Sequence, residues 1–257
     1  SDFRVVGNIL TVTATSGDSF DIWFQGVKHE ITSPATFNIT DVEGLHLIYF
    51  DTDDIIKEYV NPDYGDTLTA IRDKVLITLV YWDATNNTAI YVGEERHGTV
   101  MDGMTHYYLH YTRGLQLTYG LALDDFNIGT GTLASDAQFS VETGAVADED
   151  IGLTIPTITS TTGLPILYKL GTSNWRRLEQ PGYACYQNPS GITNRLMYNQ
   201  DTGGGNWTLT EVGEGNYVLY HIFATTGKNG YGQVFSIMGQ AEYTNIINAR
   251  AGATVEI

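Results

Sequence analysis

Positive charge is what this 257-residue chain has least of: 13 Lys and Arg stand against 30 Asp and Glu, a formal net charge of -17. Nucleic-acid affinity is built from cations that neutralise phosphates, so nucleic acid and anionic membrane surfaces are poor partners for it. Cysteine is nearly absent as well. The single Cys185 has no internal disulfide partner, and synthesis in a reducing compartment is the simpler expectation. No run of about 18 apolar residues occurs, so membrane insertion by a helix is not expected. The chain opens on Ser1 without a signal-peptide pattern and reads as a processed product or a fragment. It also lacks an extended apolar stripe at helical spacing, a Gly-x-Ser-x-Gly elbow, and a Lys-Thr after its run of three glycines at 203–205. Serine-nucleophile and phosphate-cradle chemistry therefore have no foothold.

What is present favours short strands and tight turns. There are 28 Gly and 17 Tyr, while charged residues make up only 17%. Phe20, Ile22 and Phe24 alternate with Asp21 and Trp23, and Phe37 and Ile39 alternate with Asn38 and Thr40, the period of sheets with one buried face. Residues 75–82 and 89–92 flank the polar stretch 83–88 as a hairpin would. Helices are expected at only two places. One is short and lies after Asp102, an N-cap candidate, with Gly114 as its stop; the other covers 242–250 and is closed by Gly252.

A faint internal duplication orders these elements. The hexapeptide 44–49 (GLHLIY) reappears at 163–168 (GLPILY), and Val75-Leu76 with Leu79-Val80 resembles Val218-Leu219 with Ile222-Phe223. The second pair lies at a longer offset, which implies an insertion around 181–205. The expected fold is all-β: two tandem β-sandwich or jelly-roll-like domains, 1–93 and 116–257, joined by a short helical linker at 94–115.

Several stretches look like segments of a known protein class. These are Glu95-Arg96-His97-Gly98, Met101-Asp102-Gly103, Thr105-His106, Leu109-His110, the run 219–225 (LYHIFAT), the run 239–243 (GQAEY) and the run 249–253 (ARAGA). They resemble tailed-bacteriophage virion structural proteins of the tail-fibre or baseplate-associated type. The resemblance implies a place in the virion, β-rich modules that commonly assemble as homotrimers, and other phage virion proteins as partners. It implies no catalytic activity.

Four residue groups are candidates for chemistry. His106 and His110, four apart, share a helix face as zinc ligands do, with His97 or Asp102 as a third donor. No glutamate follows the first histidine, so no metalloprotease base is in place. The plainer expectation is that these histidines hydrogen-bond the linker or a neighbouring subunit. Asp51, Asp53 and Asp54 offer carboxylates at a strand end, part of a calcium shell; the plainer reading is a solvated acidic turn, and no cofactor is required. Asp148-Glu149-Asp150 and Glu142 raise the thought of paired glycosidase acids, but three consecutive acids read as a solvated loop. Trp175, Arg176, Tyr183, Tyr186, Tyr198 and Trp207 crowd the inserted segment, where aromatic rings beside polar groups suit either host-surface glycan or a subunit interface. The chain is expected to be non-enzymatic and to act through contact, as a structural protein or as a receptor- or carbohydrate-binding module.

Overall fold

The computed structural model describes residues 1–127, 138–159, 164–180, 185–186, 195–228 and 230–256. From the N-terminus come β1 (Asp2–Val6), β2 (Ile9–Thr13), β3 (Ser19–Phe24), β4 (Val27–Thr32), β5 (Ala35–Asn38), β6 (Gly44–Phe50) and β7 (Ile56–Val60). Then follow α1 (Tyr64–Asp73), β8 (Val75–Asp83), β9 (Thr88–Val92), α2 (Gly103–Thr112), β10 (Leu115–Gly120), β11 (Leu123–Asn127), β12 (Gln138–Val141), β13 (Gly144–Asp148) and β14 (Ile151–Ile155). The remaining elements are β15 (Leu164–Leu170), β16 (Asn174–Gln180), β17 (Met197–Gly203), β18 (Asn206–Glu211), β19 (Tyr220–Ala224), β20 (Val234–Met238) and α3 (Ile246–Glu256). The chain is all-β in class, as its composition predicts. No helix among the described residues is long and apolar enough to cross a membrane.

Two compact units share the chain, each assembled from separated stretches. The first is Ser1–Thr118, Val146–Leu153 and Thr226–Tyr231; the second is Tyr119–Ala145, Thr154–Thr225 and Gly232–Ile257. Residues 94–115, expected as a linker, belong to the first unit. Later chain returns to that unit through backbone bonds and one side-chain bond. Gly93 bridges Gly227, Lys228 N–H donates to Val92 O at 2.8 Å, and the Tyr231 hydroxyl donates to Val5 O at 2.9 Å.

In the first unit, side-chain alternation puts Phe3 and Val5 of β1, Leu10 and Val12 of β2, and Phe20 and Ile22 of β3 into one core with Ile48, Phe50, Ile77, Val80 and Trp82. Trp23 points outward, as the period-two pattern requires. The sheet β7-β6-β8-β9 is antiparallel throughout, and the expected hairpin at 75–92 is its β8–β9 arm. β6 is buried on both faces. Ile48 and Phe50 face the main core, while Leu47 and Tyr49 pack against Ala70 and Ile71 of α1.

Helix α1 lies where the sequence offers no long apolar stripe, because only Ala70 and Ile71 of its ten residues are buried. Its start is fixed locally: Asp63 accepts from Asp66 N–H while the Asp66 side chain reaches back to Asp63 N–H, a reciprocal cap. Helix α2 begins at Asp102 as expected, with the carboxylate accepting from Met104 and Thr105 N–H at 3.0 and 3.1 Å. Gly103 lets α2 approach α1 closely, since a Cβ there would fall 1.8 Å from Arg72 O.

The second unit holds the sheet β16-β15-β20-β19 and the hairpins β11–β12 and β17–β18. Its core gathers Ile166, Met197 and Met238 with Tyr168, Leu178, Tyr186, Leu209 and Tyr220. The proposed duplication is not confirmed at the level of strand order. The hairpins β6–β7 and β15–β16 correspond, but β6 takes antiparallel β8 as its other neighbour while β15 takes β20 in parallel. Helix α3 also departs from expectation, starting later than 242 and running through Gly252. That glycine does not stop the helix; it makes room for Tyr243, whose hydroxyl would lie 2.0 Å from an added Cβ. Of the remaining sheets, two have three strands, in the orders β1-β2-β5 and β10-β13-β14.

Candidate metal centre

Three stretches of the first unit converge on one cluster: the segment after β9, helix α2, and the turn between β13 and β14. The first supplies His97, the second His106 and His110, and the third Glu149 and Asp150. His97 and His106 meet edge to face with ring centroids 4.4 Å apart and their Nε2 atoms at 3.0 Å. Glu149 Oε2 lies 3.7 Å from His97 Nε2 and 3.9 Å from His106 Nε2. These three side chains can each offer a ligand atom within 4.8 Å of the others.

Each is held from behind. His106 Nδ1–H donates to Ile71 O of α1 at 2.7 Å, a bond set by the close approach at Gly103. His97 Nδ1 is bonded to Asp150 Oδ1, and Asp150 Oδ2 accepts from Thr99 N–H at 2.9 Å. His110 Nδ1–H donates to Glu149 Oε1 at 2.8 Å. Glu149 occupies the left-handed region, φ 55°, where a longer side chain is uncommon. Its carboxylate is only 1% exposed.

The electrostatics follow from burial and facing atoms. Burial first, then His97, pushes the His106 pKa down to about 4. Burial raises Glu149, a shift opposed by His97 and His110 and reinforced by Asp148. Asp150 is held below the usual carboxylate range because, against the upward push of burial, it accepts from His97 and Thr99. Glu95 is pushed up to about 8 by burial and by Asp148, Glu149 and Glu94. Arg96 is turned the other way, with Nε and Nη2 each 2.7 Å from Glu94. A cavity of about 310 Å³ is lined by both His97 and His106 together with Arg72, Thr99 and Met101.

The sequence-level pairing of His106 with His110 is thus replaced by His97 with His106. His106 and His110 do share a helix face, at a centroid distance of 6.0 Å, but His110 serves the carboxylate. Asp102 is spent on the helix cap. Glu149 is the donor that sequence reasoning missed, because its acid-rich run reads as solvated. The signal in hindsight is a non-glycine residue at a two-residue turn where Asn or Gly is the easy choice.

The other candidates fall elsewhere. Asp51 is bonded to Lys57 and Lys74 at 2.7 and 2.5 Å, and Asp53 to Lys57 at 2.9 Å. These lysines hold Asp51 well below the usual carboxylate range. Asp54 pairs with His29 at 2.6 Å. Of the aromatic group, Arg176 and Tyr198 are buried and Tyr186 packs into the second unit's core; Tyr183 lies outside the described residues. Trp175 and Trp207 are half-buried and flank Lys169, whose ammonium lies 5.2 and 4.7 Å from their ring centroids. Burial pushes the Cys185 thiol up to about 12, which keeps it un-ionised at neutral pH.

No family model, no characterised protein and no solved structure matches this chain.

Proposed function

We propose that this chain is a non-enzymatic structural protein of a tailed-bacteriophage particle, working by assembly with copies of itself and with neighbouring virion proteins. The observation that carries the assembly reading is an outward-facing apolar surface on two consecutive elements. On α2, Met104, Tyr108 and Tyr111 follow an i, i+4, i+7 spacing and are 59%, 63% and 79% exposed. On β10, every residue is exposed, and Leu115, Leu117 and Tyr119 share one face. Among the described residues β10 is also the edge of its sheet, paired with β13 on one side only. Exposed apolar faces beside an unpaired strand edge are what a protein covers with a partner. For copies that each carry a net charge of -17, an apolar contact is the way to meet without stacking like charges. The virion assignment adds the resemblance of 95–110 and 219–253 to that class.

The test is absolute mass by light scattering over a range of concentrations. The parent chain is expected to form a discrete homo-oligomer, and Leu117→Glu with Tyr111→Ser to reduce it to monomer with an unchanged circular dichroism spectrum. A parent that stays monomeric at high concentration refutes self-assembly. A second reading, contact with host-surface glycan, has Trp175 and Trp207 beside Lys169 in its favour. It predicts that alanine at both tryptophans abolishes glycan binding and leaves the mass unchanged.

A further inference from the structure

We propose that His97 Nε2, His106 Nε2 and Glu149 Oε2 form a three-donor site for one divalent transition-metal ion of the zinc class. This goes beyond the assembly reading and does not depend on it.

The proton positions carry the inference. Ile71 O can only accept, so the hydrogen of neutral His106 sits on Nδ1 and its Nε2 presents a lone pair. Asp150 is a carboxylate already taking Thr99 N–H, so His97 Nδ1 also carries a hydrogen. In its neutral form His97 then presents a lone pair from Nε2 as well. With both rings neutral, two lone pairs face each other at 3.0 Å. The third member is Glu149 Oε2, which is buried and has no hydrogen-bond partner among the described residues. An acceptor in that position is costly unless something positive sits among the three.

Among the described residues, no lysine or arginine brings that charge. Among the described residues, the ion pairs of Glu149 are with histidines only. The nearest guanidinium in sequence, Arg96, is committed to Glu94, and Lys228 bonds Asp2 at 2.8 Å. Geometry fits an ion. Ligands about 2.0–2.1 Å from a tetrahedral zinc lie about 3.3 Å from one another, and the three separations here, 3.0, 3.7 and 3.9 Å, bracket that edge.

Chemistry selects the class of ion. Two imidazoles and one carboxylate suit zinc and its neighbours, whereas calcium and magnesium require shells of oxygen. The outer contacts are of the kind that orient ligands at metal sites: a carboxylate behind His97, a backbone carbonyl behind His106, and His110 on Glu149 Oε1, the oxygen not offered to the ion. The protein supplies three donors, so water or a small molecule completes a four-coordinate shell. An ion held there ties 97 and 106 to 149, more than 40 residues further along the chain, at one point.

The experiment uses the full chain, stripped with a chelator, dialysed, and titrated with Zn2+ against a chromophoric competitor, with Co2+ as a spectroscopic probe. We expect one equivalent bound and a four-coordinate Co2+ absorption band. Glu149→Gln and His106→Gln should each abolish stoichiometric binding, with circular dichroism confirming that they fold. Asp150→Asn should weaken binding by roughly 10- to 100-fold, and His29→Gln should leave it unchanged. Absence of saturable one-to-one binding overturns the proposal, as does parental affinity in Glu149→Gln. It is equally overturned if long-range 15N spectra show His97 doubly protonated and unmoved by Zn2+, because a proton would then fill the role assigned to the ion.

Discussion

His46 and His106 are both buried in the first unit, at 0% and 6% exposure, yet one is set up to be charged and the other to be neutral. His46 has an acceptor at each ring nitrogen, Glu58 Oε2 at 2.7 Å and Val42 O at 2.8 Å. Burial works against its charged form, but these two acceptors outweigh it and raise its pKa. Both nitrogens therefore have a place to donate, and the charged ring is favoured beside a buried carboxylate. His106 has one acceptor, Ile71 O, and its other nitrogen faces a second imidazole. The carboxylates mirror their histidines. Glu58 is shifted down, against burial, by His46 and Thr40, whereas Glu149 is shifted up by burial. Depth is common to both sites; what each ring nitrogen faces decides whether the site holds its own cation or has donors to offer one.

The largest effect is expected where the internal cation is complete. Glu58→Ala leaves buried His46 without its counter-charge, a loss on the order of 3–5 kcal/mol for a broken buried pair. The pH dependence has a definite sign. The folded pKa of His46 lies above its unfolded value near 6.5, so the stability it adds is full below about 6.5 and is lost as pH rises through the folded value. Urea unfolding should show a larger Glu58→Ala penalty at pH 5.5 than at pH 9. Equal penalties would mean that His46 is neutral, and the contrast with His106 would collapse.

The next test converts one site into the other. An ion present at about 100 times its dissociation constant stabilises by about 2.7 kcal/mol, so chelation should lower the Tm of the loaded protein by roughly 5–10 °C. His97→Lys places an ammonium beside Glu149 and Asp150. Its Tm should be indifferent to chelator and no lower than that of the chelated parent. A His97→Lys protein that still responds to chelator puts the ion elsewhere.

The Asp51 turn shows the self-sufficient arrangement at the surface, with Lys57 and Lys74 as its cations. Lys57 is 41% exposed, and such pairs contribute little in water. Lys57→Met should therefore cost little, and the difference should shrink in high salt. A loss as large as that of Glu58→Ala would place this turn among the structural sites.

Local features were the legible part of this molecule. Period-two alternation located β3 and β5, the polar stretch 83–88 marked the β8–β9 turn, and Asp102 marked the start of α2. His97 and His106 could be nominated because ligand chemistry belongs to the residue type. What joined them could not be read, because Glu149 and Ile71 enter through tertiary approach. One is set by a turn between β13 and β14, the other by α1 packing under α2 at Gly103. Helix α1 was missed for a related reason: a helix that buries only Ala70 and Ile71 has no stripe to show. The parallel pairing of β15 with β20 lies beyond any local pattern, since it depends on where the chain returns after a long excursion.

The smallest expected effect separates a cap from a ligand. Asp102 stands four residues before His106, and on spacing alone it is as good a third donor as Glu149. In the folded chain its carboxylate accepts from Met104 N–H, Thr105 N–H and the Thr105 hydroxyl, the last at 2.7 Å. These bonds hold it below the usual carboxylate range, led by the hydroxyl. Asp102→Ala removes the cap and frays the first turn of α2. His106 remains anchored through Ile71 O, so zinc affinity should fall less than it does in Asp150→Asn, and Tm only slightly. Asp102→Asn should restore both, because an amide oxygen caps a helix as well as a carboxylate does, whereas it would not replace an anionic ligand. If Asp102→Asn instead loses zinc as completely as Glu149→Gln, the ion sits at the start of α2 and Glu149 is only its neighbour.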